Sequence, residues 1–160
     1  MSGHKITIRQ AKPADAESIS MLIIPVMKKY VSYEYSEQGK NVILASLSTE
    51  NIQSNLTSNY QYLLAENTGI EGAQLVGVLG IKNGDHIFHC FVRSNYHRKQ
   101  IANNLWSFWL SQNRPKQVSV YSSRYAIQFY QSLGFVASDE CFEENGVVCY
   151  PMILETEILS

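Results

Sequence analysis

Hydrophobic and polar positions alternate over residues 5–9 (KITIR), which predicts a strand. Pro13, Ala14 and Asp15 then mark a helix start, since proline suits a first turn and an early aspartate complements the positive end of a helix. Ile19, Leu22, Ile23 and Val26 give this helix an apolar face, and Pro25 predicts a kink or an early end. The polar, tyrosine-rich stretch 30–41 reads as a surface loop, and 48–56 as a second, short helix. Strands are predicted over 60–66, 74–82 and 86–92, the last two joined by Asn83-Gly84-Asp85, a strong hairpin signal. The period then changes. Residues 101–112 carry apolar side chains at 101, 105, 106, 109 and 110, a helical stripe. A short strand over 117–121 follows, then a helix over 124–133 that Gly134 ends. Strands over 135–137 and 147–154 close the chain, and Pro151 makes the last an edge or bulged strand. With no linker, repeat or low-complexity segment, residues 1–160 are expected to form one mixed α/β domain with an antiparallel block first.

Composition narrows the function more than the fold. A 160-residue chain with 45% hydrophobic residues can bury a real core. A net charge of -1 without a basic stripe argues against nucleic acid as a partner. No apolar run approaches bilayer length, and MSGHKITIRQ has no long apolar stretch, so no membrane and a cytoplasmic setting are expected. Cys90, Cys141 and Cys149 are odd in number and lack paired spacing, which argues against a disulfide framework and makes Cys90 a reduced core thiol. No His/Cys cluster has ligand spacing, so no metal is expected.

Candidate chemistry begins at HIFHCFVRSNYHRKQIANNLW, where a strand ends, a short loop follows and a helix begins near Ile101. Arg93, His97, Arg98 and Lys99 lie on that loop. Unpaired N–H groups at a helix start, together with nearby cations, make an anion site; a solvated basic loop is the competing reading. His97-Arg98-Lys99-Gln100-Ile101-Ala102 resembles the Gln/Arg-x-x-Gly-x-Gly/Ala loop of the Gcn5-related N-acetyltransferase (GNAT) superfamily, which wraps the cofactor pyrophosphate. Two positions depart from it: His97 replaces Gln or Arg, and Gln100 replaces a glycine that permits an unusual φ. Further on, Ser122-Ser123-Arg124-Tyr125-Ala126-Ile127-Gln128-Phe129-Tyr130, followed by Gly134-Phe135, resembles the family's Asn/Ser-x-x-Ala-x-x-Phe-Tyr…Gly-Phe motif. The resemblance extends over nearly the whole chain.

The resemblance implies a mostly antiparallel central sheet with a splayed parallel strand pair and helices on both faces. It implies acetyl-CoA as co-substrate, held by Phe91, Val92, His97, Arg98, Lys99, Gln100, Ile101, Ala102, Asn103 and Ser123. Phe91 and Val92 would lie nearest the acyl group, with strand N–H groups as oxyanion donors. Tyr130 would protonate the leaving thiolate, although its helical face also suits a core position. Ser123 doubles as a plain N-cap. For the base, His86 matches the family's glutamate by spacing, with His89 and Glu66 as alternatives, or bound water alone. Simple alternation puts His86 with Phe88 and Cys90, and His89 with Ile87 and Phe91; a bulge would change that.

The implied function is acetyl transfer from acetyl-CoA to a primary amine of a small molecule, amino acid or peptide by direct attack. The stretch 30–41 would help form the acceptor pocket, with its tyrosines and Glu34 and Glu37 suited to a cationic or aromatic amine. The alternative is a catalytically silent acyl-CoA-binding regulatory module, which Gln100 favours and Tyr130 disfavours. A weaker third reading is an interaction subunit that pairs its last strand with a partner. A homodimer is a further expectation from the family.

Overall fold

The computed structural model describes residues 5–156, so the first four residues of the N-terminal stretch discussed above lie outside it. Strand β1 (Ile6–Gln10) leads through a 3₁₀ turn at Pro13–Asp15 into helix α1 (Ala16–Val26). Asp15 accepts from the Lys12 N–H at 2.7 Å and pairs with Arg9 at 2.8 Å, which anchors the helix start to β1. The α-helix ends one residue after Pro25, as expected of a proline that kinks or shortens it. The chain passes from there into a π turn at Met27–Val31 and a 3₁₀ turn at Ser32–Glu34. The widened turn falls just after the residue that cannot donate to the helical ladder.

The expected surface loop over 30–41 is instead largely helical. Helix α2 (Glu37–Ser46) starts at Ser36, whose Oγ accepts from the Gly39 N–H at 3.1 Å. Ile43 packs towards the core, and Gly39 touches the Gly146 backbone so closely that a Cβ there would collide with its carbonyl. Helix α3 (Thr49–Leu56) follows at once, capped by Ser48 as its sequence implies.

The sheet has eight strands in the order β1-β2-β3-β4-β5-β8-β6, with β7 pairing β8 beyond β6. Here β2 is Tyr60–Asn67, β3 Gln74–Lys82, β4 His86–Val92, β5 Gln117–Ser122, β6 Val136–Ala137, β7 Phe142–Glu144 and β8 Val147–Glu155. All pairs are antiparallel except β4 with β5. Helix α4 (Ile101–Asn113) makes the crossover between those two, and the short α5 (Ile127–Ser132) follows β5.

The last strand is not at an edge. β8 is paired with β5 on one side and with β6 and β7 on the other. Pro151 sits where the second neighbour changes from β7 to β6. Its carbonyl accepts from the Ser138 N–H at 3.1 Å, so its nitrogen faces the same gap and no ladder bond is lost. A partner pairing along β8 therefore finds both sides taken.

Two apolar layers sandwich the sheet. Ile19, Leu22 and Ile23 of α1, Leu47, and Ile52 of α3 cover one face. Ile101, Leu105, Trp106 and Trp109 of α4, with Tyr130 and Phe135, cover the other. Each fully buried large apolar side chain contributes about 2 kcal/mol, so the sheet that carries the site is held firmly from both faces.

Candidate active site

The parallel pair opens like a wedge. β4 and β5 are in register only at His86–Ser119 and Ile87–Val120, after which they part. A bulge marks the divergence: Ile81 of β3 faces Ile87 and Gly80 faces His89, so Phe88 is the extra residue. Beyond it the faces are exchanged. Cys90 and Val92 join Ile87 on the α4 side, while His89 and Phe91 turn to the α1 side. Simple alternation would have kept Ile87 with His89 and Phe91.

The bulge also decides which backbone groups are open. The Arg93 N–H donates to the Val76 carbonyl at 2.8 Å, so Arg93 points at β3. By the two-residue period Phe91 does so too, and Cys90 and Val92 present their backbone towards β5, which does not reach them. Cys90 and Val92, rather than Phe91, therefore offer the free N–H groups expected of this strand. A cleft of about 1000 Å³ runs along this gap.

The loop after β4 closes one end of the cleft. The His97 Nε2–H donates to the Val92 carbonyl at 2.7 Å, which ties the loop to the strand end and fixes the ring tautomer. Arg98 and Gln100 both have φ 63°. Gln100 thus takes the left-handed conformation that a glycine would take there, at a cost of order 1 kcal/mol. Asn103 donates to its side-chain carbonyl, and the Asn104 N–H donates to its backbone carbonyl at 2.9 Å. Left-handed residues alternating with others can turn successive N–H groups towards one side, which is the backbone pattern of anion-binding concavities. Arg98, Gln100, Ile101, Ala102 and Asn103 line the cleft; Lys99 lies on the loop outside its wall.

On the opposite lip, Ser123 caps the turn into α5, its Oγ accepting from the Ala126 N–H at 3.2 Å. The predicted helix over 124–133 is shorter, beginning at Ile127 after a turn. Tyr130 is buried, packs its ring edgewise on Phe135 and Phe129, and faces the cleft. Burial first, then the neighbouring Cys90, hold its phenol well above the ordinary pKa. Tyr130 is thus both a core residue and a cleft residue. Burial pushes the Cys90 thiol up to about 12.

The three base candidates separate cleanly. His86 lies in the cleft, where Nδ1 meets the Ser119 Oγ at 2.7 Å and the ring packs edgewise on Tyr121 at 4.9 Å. Its pKa is lowered from 6.5 by burial first and by Lys82 second, against a smaller opposite effect of Asp85. His86 is therefore neutral near pH 7. His89 also borders the cleft but is buried, and its pKa is depressed to about 3 by desolvation. Its Nδ1 lies 2.9 Å from the Tyr62 hydroxyl, which accepts from Asn55 at 3.2 Å. Gly80 allows this, since a Cβ there would approach the Tyr62 ring to 2.8 Å. Glu66 is bound to Arg9 at 2.7 Å and is not part of the cleft wall.

Two acidic residues expected near the acceptor are elsewhere as well. Glu34 Oε2 accepts from Tyr150 at 3.2 Å and Arg124 at 3.3 Å, Oε1 is buried without a hydrogen-bond partner, and the residue does not line the cleft. Glu37 is exposed beside Lys40 at 3.5 Å.

Tyr30, expected among the acceptor-pocket tyrosines, is set by the structure beside the loop after β4. Its ring lies 5.0 Å from both His97 and Tyr125, bridging the lips of the cleft. A hydrogen bond with Ser94 first, then Lys29, lowers its pKa. Among the described residues no group of three or more His, Cys, Asp or Glu is gathered, and no helix is long and apolar enough to cross a membrane.

Comparisons with known proteins bear on the family and the fold. A family model described as an acetyltransferase (GNAT) domain matches residues 31–156. No curated protein matches the chain. A GCN5-related N-acetyltransferase from Rhodopseudomonas palustris superposes with a TM-score of 0.77 at 19% identity, covering 97% of this chain and 98% of the other. The PaiA N-acetyltransferase of Thermoplasma acidophilum, solved with coenzyme A, gives 0.77 at 17% identity over 94% and 99%. An aminoglycoside 6'-N-acetyltransferase complexed with coenzyme A gives 0.64 at 13% identity over 93% and 96%. These structures share the fold, and since the family model spans most of the sequence, the chain belongs to the GNAT acetyltransferases.

Proposed function

We propose that this protein is an N-acetyltransferase that moves the acetyl group of acetyl-CoA to a primary amine of a small molecule, amino acid or peptide while both substrates are bound. The observation that carries this reading is the open edge of β4, where the Cys90 and Val92 N–H groups face the cleft beside the Tyr130 hydroxyl. Coenzyme A in two of the similar folds supports the same co-substrate here.

In this reading the left-handed loop at residues 98–100 and the start of α4 cradle the pyrophosphate, with Arg98 adding charge. The Val92 backbone and Ser123 hold the pantetheine arm. The Cys90 N–H donates to the thioester oxygen, which gains charge as the amine attacks. His86 takes the amine proton, directly or through a water, since it is neutral at working pH and lies in the cleft. As the C–N bond forms, the C–S bond breaks and Tyr130 gives its proton to the sulfur. A phenol held well above its ordinary pKa stays protonated until that moment. A thiol pushed up to about 12 makes Cys90 a poor nucleophile, which favours direct attack over an acyl-enzyme. The left-handed backbone at Gln100 supports a loop able to bind coenzyme A, and Tyr130 at the cleft favours a transferase over a silent coenzyme A-binding module.

The test is release of free thiol from acetyl-CoA over a panel of primary amines, with mass spectrometry of the products. Thiol release matched by acetylated amine supports the reading. Coenzyme A binding with no thiol release from any amine contradicts it.

A further inference from the structure

The acceptor end of the cleft has a definite charge. Among the described residues that line the cleft there is no aspartate or glutamate, whereas Lys82 lies at the end where β4 begins. That end is about 20 Å along β4 from the anion loop, too far for Lys82 to serve the pyrophosphate. Lys82 and His86 are register partners across the β3–β4 hairpin. Directly opposed residues of an antiparallel pair project to the same face with Cβ atoms about 5 Å apart. The ammonium rests 5.8 Å from the ring centres of both Tyr60 and Phe88, and among the described residues no carboxylate pairs with it. Phe88, Tyr121 and Tyr35 add aromatic wall to the cleft.

A second cation on the acceptor would meet Lys82 in a cleft whose described lining includes no carboxylate, with Asp85 beside His86 lying outside that lining, which is costly. An anionic group would find a partner within reach. We infer that the acceptor is an amine carrying a carboxylate only a few bonds from the reactive nitrogen, with an apolar or aromatic remainder, and that Lys82 binds the carboxylate while His86 faces the amine. This rests on the transferase reading above. It replaces the cationic acceptor that Glu34 and Glu37 suggested, because both carboxylates lie outside the cleft.

The experiment compares kcat/KM for L-phenylalanine, L-phenylalaninamide, phenethylamine and spermidine on the wild type and on Lys82→Glu. The carboxylate-bearing amine is expected to exceed phenethylamine by about tenfold or more, the size of one charge-assisted hydrogen bond, and Lys82→Glu is expected to abolish or invert that ratio. Spermidine or phenethylamine as the best acceptor overturns the inference, as does an unchanged ratio in Lys82→Glu. A second readout needs no turnover: calorimetry of N-acetyl-L-phenylalanine and N-acetylphenethylamine with coenzyme A present. Tighter binding of the carboxylate product that is lost in Lys82→Glu supports the inference even if no amine is acetylated. Equal or absent binding of the two amides overturns it, whatever the turnover.

Discussion

Tyr130 shows how one side chain serves core and chemistry together. Its ring is packed between Phe129 and Phe135, while the residue also lines the cleft beside Cys90. Tyr130→Phe keeps the ring and removes only the proton. We expect kcat to fall about 100-fold, the scale of general acid catalysis, with the coenzyme A Kd within about threefold. An unchanged kcat would remove Tyr130 from the mechanism. His86 is tested by pH. Its pKa is lowered by burial, so it loses its proton below the ordinary histidine value of 6.5, and it is the neutral form that accepts the amine proton. The wild-type kcat/KM should fall as pH drops through a midpoint below 6.5, and His86→Gln should lose that limb. A limb that survives in the variant assigns the base elsewhere. The sequence pattern nominated both residues, Tyr130 from a dense motif and His86 from a countable strand position, and the structure places both on the cleft. It did not separate His86 from His89 and Glu66. That required the bulge at Phe88 and the Arg9–Glu66 pair, neither of which leaves a local signal.

Elements were legible where the period was long and the apolar content high. β3, β4 and α4 fall where alternation and helical spacing put them. Helix α2 did not, because its first turns are polar with a glycine and are held by contacts far along the chain. The Ser36 N–H donates to the Gly146 carbonyl at 3.3 Å, and Gly39 lies against Gly146. The β7–β8 hairpin that supplies this contact carries an Asn145-Gly146 turn signal, but its first strand has only three residues. Gly39→Ala forces a methyl into the Gly146 carbonyl. It should destabilise the fold by about 1–3 kcal/mol and lower the melting temperature by several degrees in a thermal scan. A variant as stable as the wild type would mean that α2 is not fixed by this contact. The loop at 97–103 is the converse case. Its motif was readable, yet whether Gln100 preserved the loop was not, because a left-handed φ at a non-glycine residue is set by the surrounding turn.

For the whole molecule, two apolar layers hold a sheet that is deliberately incomplete between β4 and β5. The gap leaves strand N–H groups unpaired, and the crossover helix α4 starts at its end with a left-handed loop. The central claim is that these two features make a coenzyme A site. The most direct measurement is a calorimetric titration of acetyl-CoA into the wild type and into Gln100→Val. A β-branched residue is strained at φ 63°, so the variant should spoil the loop while leaving the sheet intact. We expect one-to-one binding with a micromolar Kd in the wild type, weakened about tenfold or more in Gln100→Val, whose circular dichroism should match the parent. An absence of binding heat in the wild type, or equal affinity in the variant, would contradict the account.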